Sequence, residues 1–340
     1  MARDDRTLPE AHVTADDVAT AAGVSRWTVN RAFRKDASIS ARSREKVMQA
    51  ATRLGYVPDM RAASLASDRS NLVALLVDDF CNPHKLVVLE HLTRSLRRAG
   101  WDTLLVNTLD EADAGPALLN ASQRRVDAVI LIGVQFDDEA LKTAIAARRF
   151  RKLIVFARFS RNPDTINIAV DDVAAMTELA EYVAARGYRR PMFLAGPRTS
   201  SAHLDRKETF LAFWQARFGT EPPCTSVAAY SPTLATEAVT TALSDRPAAD
   251  LPDVIVCEND ALAIGAMDAI RHTLGLRVPE DVAVTGFDDA PQARSVAYRI
   301  TSFTQPVAEM ADYLVEVLDS SEDRDFSRLF LGQLKPRASA

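Results

Sequence analysis

Cationic and amide side chains lie close together in one short stretch near the start of the chain. Residues at i, i+3, i+4 and i+7 share one face of an α-helix. The residues with this spacing are Trp27, Asn30, Arg31 and Arg34, and Arg26 lies beside them. Arginine can make a bidentate contact with guanine and asparagine with adenine, and a tryptophan can pack against a thymine methyl group. This face therefore predicts DNA recognition; the alternative is a core tryptophan flanked by solvated arginines.

A second set of polar side chains follows the apolar runs in the rest of the chain. It comprises Asp78, Asp79, Asn107, Arg158, Asp171, Asp172, Asn259, Asp260, Asp288 and Asp289. If the runs are strands of open α/β sheets, their carboxyl ends form the edge at which such sheets bind ligands. Carboxylates and amides there would suit a polyhydroxylated ligand, because each hydroxyl both donates and accepts. For any single acid, a helix N-cap after a strand is the alternative.

The first set must be positioned by three short helices. The first begins after Thr14 and ends at Gly23, the second begins after Ser25 and reaches about Phe33, and the third begins after Ser40 and ends at Gly55. The hydroxyl residues are good N-caps, Asp17 completes a capping box with Thr14, and the glycines can adopt the left-handed conformation that ends a helix. Val29, Ala32 and Phe33 can then point inward. Three helices with a tight turn between the first two predict a helix-turn-helix.

The second set must be positioned by strands. We predict ten, over residues 72–79, 102–108, 127–133, 152–158, 167–172, 191–197, 226–230, 253–260, 281–289 and 300–306, with helices in most of the gaps. Short β-branched runs that alternate with helices predict parallel sheets covered on both faces. Ten strands exceed what one compact sheet usually carries, so we expect two α/β lobes that face each other across a cleft.

Charge is unevenly distributed along the 340 residues. Residues 13–61 contain nine Lys or Arg against five Asp or Glu, whereas the whole chain carries −5, which leaves −9 for the remainder. A basic segment on an acidic body is typical of a head that binds phosphates. Cys81, Cys224 and Cys257 have no metal-ligand spacing, so no metal site is expected. The charged start and the lack of a long apolar run predict a cytoplasmic protein.

The stretches DVATAAGVSRWTVNRAF and ISARSREKVMQAATRLGYVPD resemble the head of the lac repressor family of bacterial transcription regulators. Further along, DDFCNP, VDAVILIG, VPEDVAVTGFDDAP and ITSFTQPVAEM resemble that family's core. The resemblance implies an all-α helix-turn-helix head on an α/β two-lobe body of the periplasmic-binding-protein-like type I class. It places the DNA-binding domain at 13–58, a hinge segment at 59–70, and the effector-binding and dimerisation domain at 71–340.

The resemblance also implies roles for individual residues of the head and hinge. The predicted DNA-binding residues are Thr14, Ser25, Arg26, Trp27, Thr28, Asn30, Arg31, Arg34, Ser40, Ala62 and Leu65. Ser25 and Ser40 would meet phosphates, and Ala62 and Leu65 match the hinge positions that enter the minor groove, where an apolar wedge bends the duplex. The hinge departs from the family at Asp59, Ala63 and Asp68, and two of these changes put acids near phosphates.

In the body, the resemblance implies that Arg206, Asn259 and Asp288 contact the effector and that Tyr230 forms an aromatic wall. The full predicted set is Asp79, His84, Lys85, Arg158, Asp171, Arg206, Tyr230, Asn259 and Asp288. His84 and Lys85 stand where aromatics are common in the family, Ala157 replaces a frequent Asp, and Thr209 a frequent Gly. These departures make the site more cationic and favour a sugar or a sugar acid; a nucleoside or another metabolite is the alternative.

These features together predict a transcription regulator of the repressor type, located at the bacterial nucleoid and needing no cofactor. A two-fold homodimer on a near-palindromic operator is expected. The final LGQLKPRASA has no leucine heptad, which favours a dimer over a tetramer. The sequence has no phosphate loop, nucleophile elbow or HExxH motif, which argues against an enzyme. A solute-binding protein or a glycosidase-like enzyme on the same body is the remaining alternative.

Overall fold

The computed structural model describes residues 13–33, 37–58, 69–80, 82–108, 114–133, 135, 142, 150–199, 201–322 and 324–340. The chain divides into two compact units, residues 1–70 and 71–340, here called the head and the body. Within the described ranges, no helix is long and apolar enough to cross a membrane.

The head consists of three helices, α1 (Ala15–Ala22), α2 (Arg26–Ala32) and α3 (Ala41–Leu54). The predicted helix ends are confirmed. The hydroxyl groups of Thr14, Ser25 and Ser40 each accept a hydrogen bond from a backbone amide in the first turn of the helix that follows, and Asp17 completes the capping box with Thr14. Gly23 and Gly55 end α1 and α3 with φ angles of 65° and 69°. A side chain would be strained at such angles.

The three helices pack around one small apolar core. Val18, Val29 and Val47, one from each helix, are completely buried. The ring of Phe33 meets that of Tyr56 edge to face, with centroids 5.7 Å apart. Because these apolar residues fill the interior, the opposite face of α2 is left to polar side chains and Trp27.

The body contains twelve strands and eight α-helices among the described residues, with a short 3-10 helix at Ala248–Asp250 and a π-helical turn at Ala269–Thr273. The strands are β1 (Leu72–Val77), β2 (Asp102–Asn107), β3 (Ala128–Ile132), β4 (Lys152–Phe156), β5 (Ile166–Val170), β6 (Pro191–Ala195), β7 (Cys224–Ser226), β8 (Val254–Cys257), β9 (Ala283–Asp288), β10 (Thr301–Thr304), β11 (Arg328–Phe330) and β12 (Gln333–Lys335). The helices are α4 (Pro83–Arg98), α5 (Ala114–Gln123), α6 (Asp172–Ala185), α7 (Arg206–Phe218), α8 (Pro232–Leu243), α9 (Asp260–Asp268), α10 (Pro291–Arg294) and α11 (Val307–Asp319).

The strands form two six-stranded sheets. The sheet of the first lobe has the order β11-β5-β4-β3-β1-β2, and that of the second lobe the order β12-β10-β9-β8-β6-β7. The pairs are parallel except that β12 runs antiparallel to β10. The central strands are buried along nearly their whole length, as expected for sheets covered by helices on both faces. The predicted two-lobe α/β architecture is therefore confirmed.

Three details of the strand prediction are wrong. The seventh strand covers Cys224–Ser226 and not 226–230, because its pairing with β6 ends where Ser226 meets Ala195. The chain then turns toward α8, and Tyr230 lies buried in that turn. Strands β11 and β12 were not expected, since each has only three residues and too short a pattern to recognise. β12 also adds an antiparallel pair, with β10, whereas β11 pairs in parallel with β5.

The chain passes between the lobes at three neighbouring segments. These lie at Asp171 after β5, at Gln305 after β10, and at Gly332 between β11 and β12. The amide of Asp171 donates to the carbonyl of Phe330 over 2.8 Å. A Cβ atom on Gly332 would overlap the carbonyl oxygen of Thr304. The three segments therefore pack closely against one another.

Candidate functional site

The outer face of α2 presents the side chains that the sequence assigned to DNA. Trp27 is 65% exposed, and Arg26 and Asn30 are exposed beside it. The guanidinium of Arg31 lies over the Trp27 ring, 4.3 Å from its centroid, and donates from Nη2 to the carbonyl of Ser38 over 2.5 Å. An indole held away from the core in this way is an unusual use of a large apolar side chain.

The neighbouring predicted residues hold the helix ends in place. Ser25 Oγ accepts from the amide of Thr28 over 3.2 Å and lies 2.9 Å from the Thr28 hydroxyl. Arg26 forms an exposed ion pair with Asp16 at 3.2 Å, which contributes little to stability in water. The remaining predicted positions, Arg34, Ala62 and Leu65, lie outside the described residues, as do the departures at Asp59, Ala63 and Asp68.

In the body, polar side chains from both lobes surround one cavity of about 40 Å³ near the carboxyl ends of the sheets. It is lined by Asn82, His84, Lys85, Val88, Ile132, Gly133, Phe156, Ala157, Arg158, Leu204, Arg206, Tyr230, Asn259, Asp288 and Gln305. Seven of the predicted effector residues are among them: His84, Lys85, Arg158, Arg206, Tyr230, Asn259 and Asp288. The parallel strands thus bring together groups that are far apart in sequence.

Two predicted effector residues, Asp79 and Asp171, do not line the cavity. Asp171 is the N-cap of α6 and accepts from the amide of Ala174 over 2.9 Å, which is the alternative role that the sequence allowed. Asp79 has a left-handed φ of 37° after β1, and it is the preceding Asp78 that reaches Lys85 at the cavity. In both acid pairs it is the neighbouring acid, Asp78 or Asp172, that binds a cation lining the cavity.

Arg206 is the most heavily bonded side chain of the cavity. It opens α7, is 2% exposed, and donates from Nε to Asp172 over 2.9 Å and from Nη1 to the carbonyl of Glu258 over 3.0 Å. The same Nη1 lies 3.5 Å from Asp288 Oδ1, and the guanidinium carbon lies 3.6 Å from the centroid of the Phe287 ring. Burial alone would lower the pKa of Arg206, but the two carboxylates outweigh it and raise the pKa. The guanidinium is thus fixed in position and charge.

Tyr230 forms one wall of the cavity and is held by a buried acid. Its hydroxyl donates to Glu258 Oε2 over 3.0 Å, and the amide of Gly196 donates to the same oxygen over 2.6 Å. A Cβ atom on Gly196 would overlap the Tyr230 ring, so only glycine allows this packing. Burial raises the pKa of Glu258, with the Gly196 amide acting in the opposite direction.

Lys85 and Asp288 are also fixed by polar partners. Lys85 Nζ donates to Asp78 over 2.5 Å and to the carbonyl of Ile132 over 2.7 Å. Burial lowers the pKa of Lys85, and Asp78 opposes this effect. Asp288 accepts from Gln305 Nε2 over 2.6 Å and has a φ of 104°, a strained angle for a residue with a side chain. Backbone strain of this kind is concentrated at functional sites.

The two lobes touch across the mouth of the cavity. Phe159 of the first lobe and His203 of the second exchange two backbone hydrogen bonds, of 3.1 and 2.7 Å, and Arg158 Nη1 donates to the carbonyl of Ala202 over 3.3 Å. One water molecule needs about 10–15 Å³ of cavity volume. The cavity of about 40 Å³ therefore admits a few waters but no whole sugar. A sugar-sized ligand therefore needs more space than this cavity provides.

Sequence reasoning missed three polar residues of this site. Gln305 and Asn82 line the cavity, and Glu258 binds Tyr230 from behind. Asp172, which binds Arg206, was among the polar residues at the strand ends but not among the predicted effector residues. Gln305 directly follows β10, so the rule that polar groups gather at strand ends would have found it. Glu258 is the residue before the selected Asn259, and only the side-chain geometry distinguishes the roles of the two.

Two family models match the chain. Residues 14–59 match the model described as bacterial regulatory proteins, lacI family, and residues 180–340 match the periplasmic-binding-protein-like domain. The HTH-type transcriptional regulator DegA of Bacillus subtilis is 28% identical over 301 residues, which cover 87% of this chain and 88% of that protein. The sucrose operon repressor of Escherichia coli is 29% identical over 283 residues, covering 80% and 83% of the two chains.

Solved structures have the same fold over nearly the whole length. The lac repressor dimer bound to operator and the anti-inducer ONPF matches with a TM-score of 0.80 and 23% identity, covering 97% of this chain and 99% of that one. The transcriptional regulator CelR in complex with cellobiose matches with a TM-score of 0.70 and 24% identity, covering 97% and 100%. Both the head and the two-lobed body therefore have counterparts of known architecture.

Proposed function

Because this chain is a DNA-binding transcriptional regulator of the lacI family with a periplasmic-binding-protein-like body, we propose that its operator affinity is controlled by a sugar or a sugar acid bound between the two lobes. One observation carries the proposal: Arg206, Asp288, Asn259 and Tyr230 line the same cavity at the carboxyl ends of both sheets. An arginine opposite a carboxylate and an amide can clamp adjacent hydroxyls, and an aromatic wall suits the apolar face of a sugar ring.

The head reads the operator through the exposed face of α2. Arg26, Trp27 and Asn30 are free of the head's core, while Val29 and Ala32 on the other face anchor the helix. Residues 13–61 carry a net charge of +4, so phosphate attraction supports binding and makes it dependent on salt. Side chains that reach the base edges then select the sequence.

The protein acts as a homodimer on a near-palindromic operator. The lac repressor, whose fold this chain shares, is a dimer in its operator complex. One head of this size reads only a few base pairs, and a two-fold pair doubles the sequence that is read. A dimer also lets the body control DNA binding. A change in the angle between the two lobes would change the spacing of the two heads on the operator.

Ligand binding controls the operator affinity through the lobes. Gln305 lies in one of the three crossing segments and binds Asp288 at the cavity, so it joins the ligand site to the part of the chain that bends. A ligand that stabilises one lobe angle shifts the equilibrium by its difference in affinity for the two angles, and by no more than that.

The proposal is tested by selecting duplexes from a random pool with the full chain and measuring their affinity by fluorescence anisotropy. The selected sites should be two-fold symmetric, and affinity should fall steeply as salt rises. Sugars, sugar acids and nucleosides are then screened for a change in that affinity. The proposal is contradicted if no sequence is enriched from the pool. It is also contradicted if none of these compounds changes the affinity for the selected duplex.

A further inference from the structure

Arg158 differs from the other cations of the cavity in having no carboxylate partner. It lies two residues after β4, is 8% exposed, and lines the cavity. Its hydrogen bond goes to the carbonyl of Ala202, and its guanidinium carbon lies 5.6 Å from the centroid of the Tyr230 ring. Within the part of the chain that the structure describes, no carboxylate oxygen comes within 4.0 Å of it.

The other two cations are already neutralised. Lys85 is bound to Asp78, and Arg206 to Asp172 and Asp288. The nearby acid Glu258 accepts from Tyr230 and Gly196 rather than from Arg158. A buried charge without a partner destabilises the folded chain. The guanidinium of Arg158 is therefore the place in this cavity where a negative charge from outside gains most.

His84, in the first lobe, is a second indication that the cavity binds a polar ligand. It is 6% exposed, it lines the cavity, and neither ring nitrogen has a hydrogen-bond partner among the residues that the structure describes. Gln305 Oε1, on another side of the cavity, is also buried without a partner. Unsatisfied polar atoms are uncommon in protein interiors. Three such atoms around one cavity, beside an uncompensated guanidinium, are what a bound polar ligand would satisfy.

We propose that the effector is a sugar acid whose carboxylate binds Arg158, with His84 beside it, while its hydroxyls bind the Arg206, Asn259 and Asp288 group. This rests on the proposed function and names the ligand class of the same cavity. Arg206 is a less suitable anchor for the carboxylate, because its guanidinium already has two acids and a third would be repelled. A single unpaired guanidinium also balances the one negative charge of a carboxylate, whereas a phosphate dianion would leave one charge unbalanced.

The test compares neutral and acidic sugars of the same skeleton on the full chain. D-Glucose and D-glucuronate, D-galactose and D-galacturonate, together with D-gluconate and glucose 6-phosphate, are titrated by calorimetry into wild type and Arg158→Met. At least one carboxylate should bind about 30-fold or more tighter than its neutral partner, and Arg158→Met should remove that preference. Glucose 6-phosphate should bind more weakly than the preferred carboxylate. Arg161→Met, an exposed arginine of the same loop, is the matched control and should bind like wild type.

A ligand-free measurement separates binding from folding. Because Arg158 carries an uncompensated charge, Arg158→Met should melt at the same temperature as wild type or higher, whereas removal of a structural arginine would lower it. His84→Gln should weaken carboxylate binding less than Arg158→Met does. Equal binding of neutral and acidic sugars, tighter binding of the phosphate, full carboxylate affinity in Arg158→Met, or no carboxylate binding at all would each overturn the proposal. Operator binding by the ligand-free wild type reports on the proposed function independently of these results.

Discussion

The carboxylate of Asp172 positions the guanidinium of Arg206. The substitution Asp172→Asn measures how much ligand binding in the cavity depends on this ion pair. The change removes one negative charge but keeps the shape and the oxygen that accepts from Arg206 Nε over 2.9 Å. Arg206 would keep the carbonyl of Glu258 at 3.0 Å and lie closest to a single acid, Asp288 at 3.5 Å. We expect its guanidinium to shift toward Asp288 and away from the position in which it clamps hydroxyls.

The size of the effect follows from these contacts. A hydrogen bond to a charged group contributes about 1.5–3 kcal/mol and a neutral one about 0.5–1.5 kcal/mol, so exchanging the carboxylate for an amide should cost about 1–1.5 kcal/mol. For a domain of this size each kcal/mol changes Tm by about 2–4 °C. Asp172→Asn should therefore lower Tm by about 2–6 °C and weaken binding of the sugar ligand by roughly tenfold. Scanning calorimetry and titration calorimetry on the full chain measure the two quantities.

Asp171→Asn is the matched control. Asp171 is the adjacent residue, its carboxylate caps α6, and asparagine caps a helix about as well as aspartate. We expect a loss below about 1 kcal/mol and an unchanged ligand affinity. The reasoning is refuted if Asp171→Asn weakens ligand binding as much as Asp172→Asn does, or if Asp172→Asn changes neither Tm nor affinity.

Three further substitutions test separate parts of the molecule. Trp27→Ala should keep Tm within about 1 °C, because the indole is 65% exposed, yet weaken operator binding about tenfold in anisotropy; an unchanged affinity would exclude Trp27 from the interface. Gly332→Ala should lower Tm by several degrees, because the added Cβ atom overlaps the carbonyl oxygen of Thr304. If the variant melts at the same temperature as wild type, the segments at Gly332 and Thr304 can move apart without loss of stability. Burial lowers the pKa of His84 below 6.5, so the folded body takes up protons less readily than the unfolded chain. The stabilising contribution of neutral His84 is therefore complete above the pKa of the unfolded chain, near 6.5, and is lost as the pH falls from there toward the lowered pKa of the folded state. Tm should drop more steeply below about pH 6.5 in wild type than in His84→Gln, and identical slopes would contradict the assignment.

The sequence predicts the head almost completely, because each of its helix boundaries depends on a local signal. Thr14, Ser25 and Ser40 cap helices within three residues of themselves, and Gly23 and Gly55 end them by their own backbone angles. Such signals need no knowledge of distant parts of the chain.

The body is predicted less evenly, because its short strands and its site depend on distant partners. β11 is a strand only through its pairing with β5, and β12 only through β10. Likewise, nothing within the sequence distinguishes Asp171 from Asp172. The distinction arises because Arg206, on another helix, lies beside one carboxylate while the amide of Ala174 binds the other.

Reciprocal titration tests the central claim most directly. The affinity of the full chain for its selected duplex is measured with and without the ligand, and the affinity for the ligand with and without the duplex. If one pair of lobes couples the two sites, both affinities must change by the same factor, which we expect to be about 5–150-fold. Duplex binding that stays the same at saturating ligand would contradict the account, even if each partner binds tightly alone.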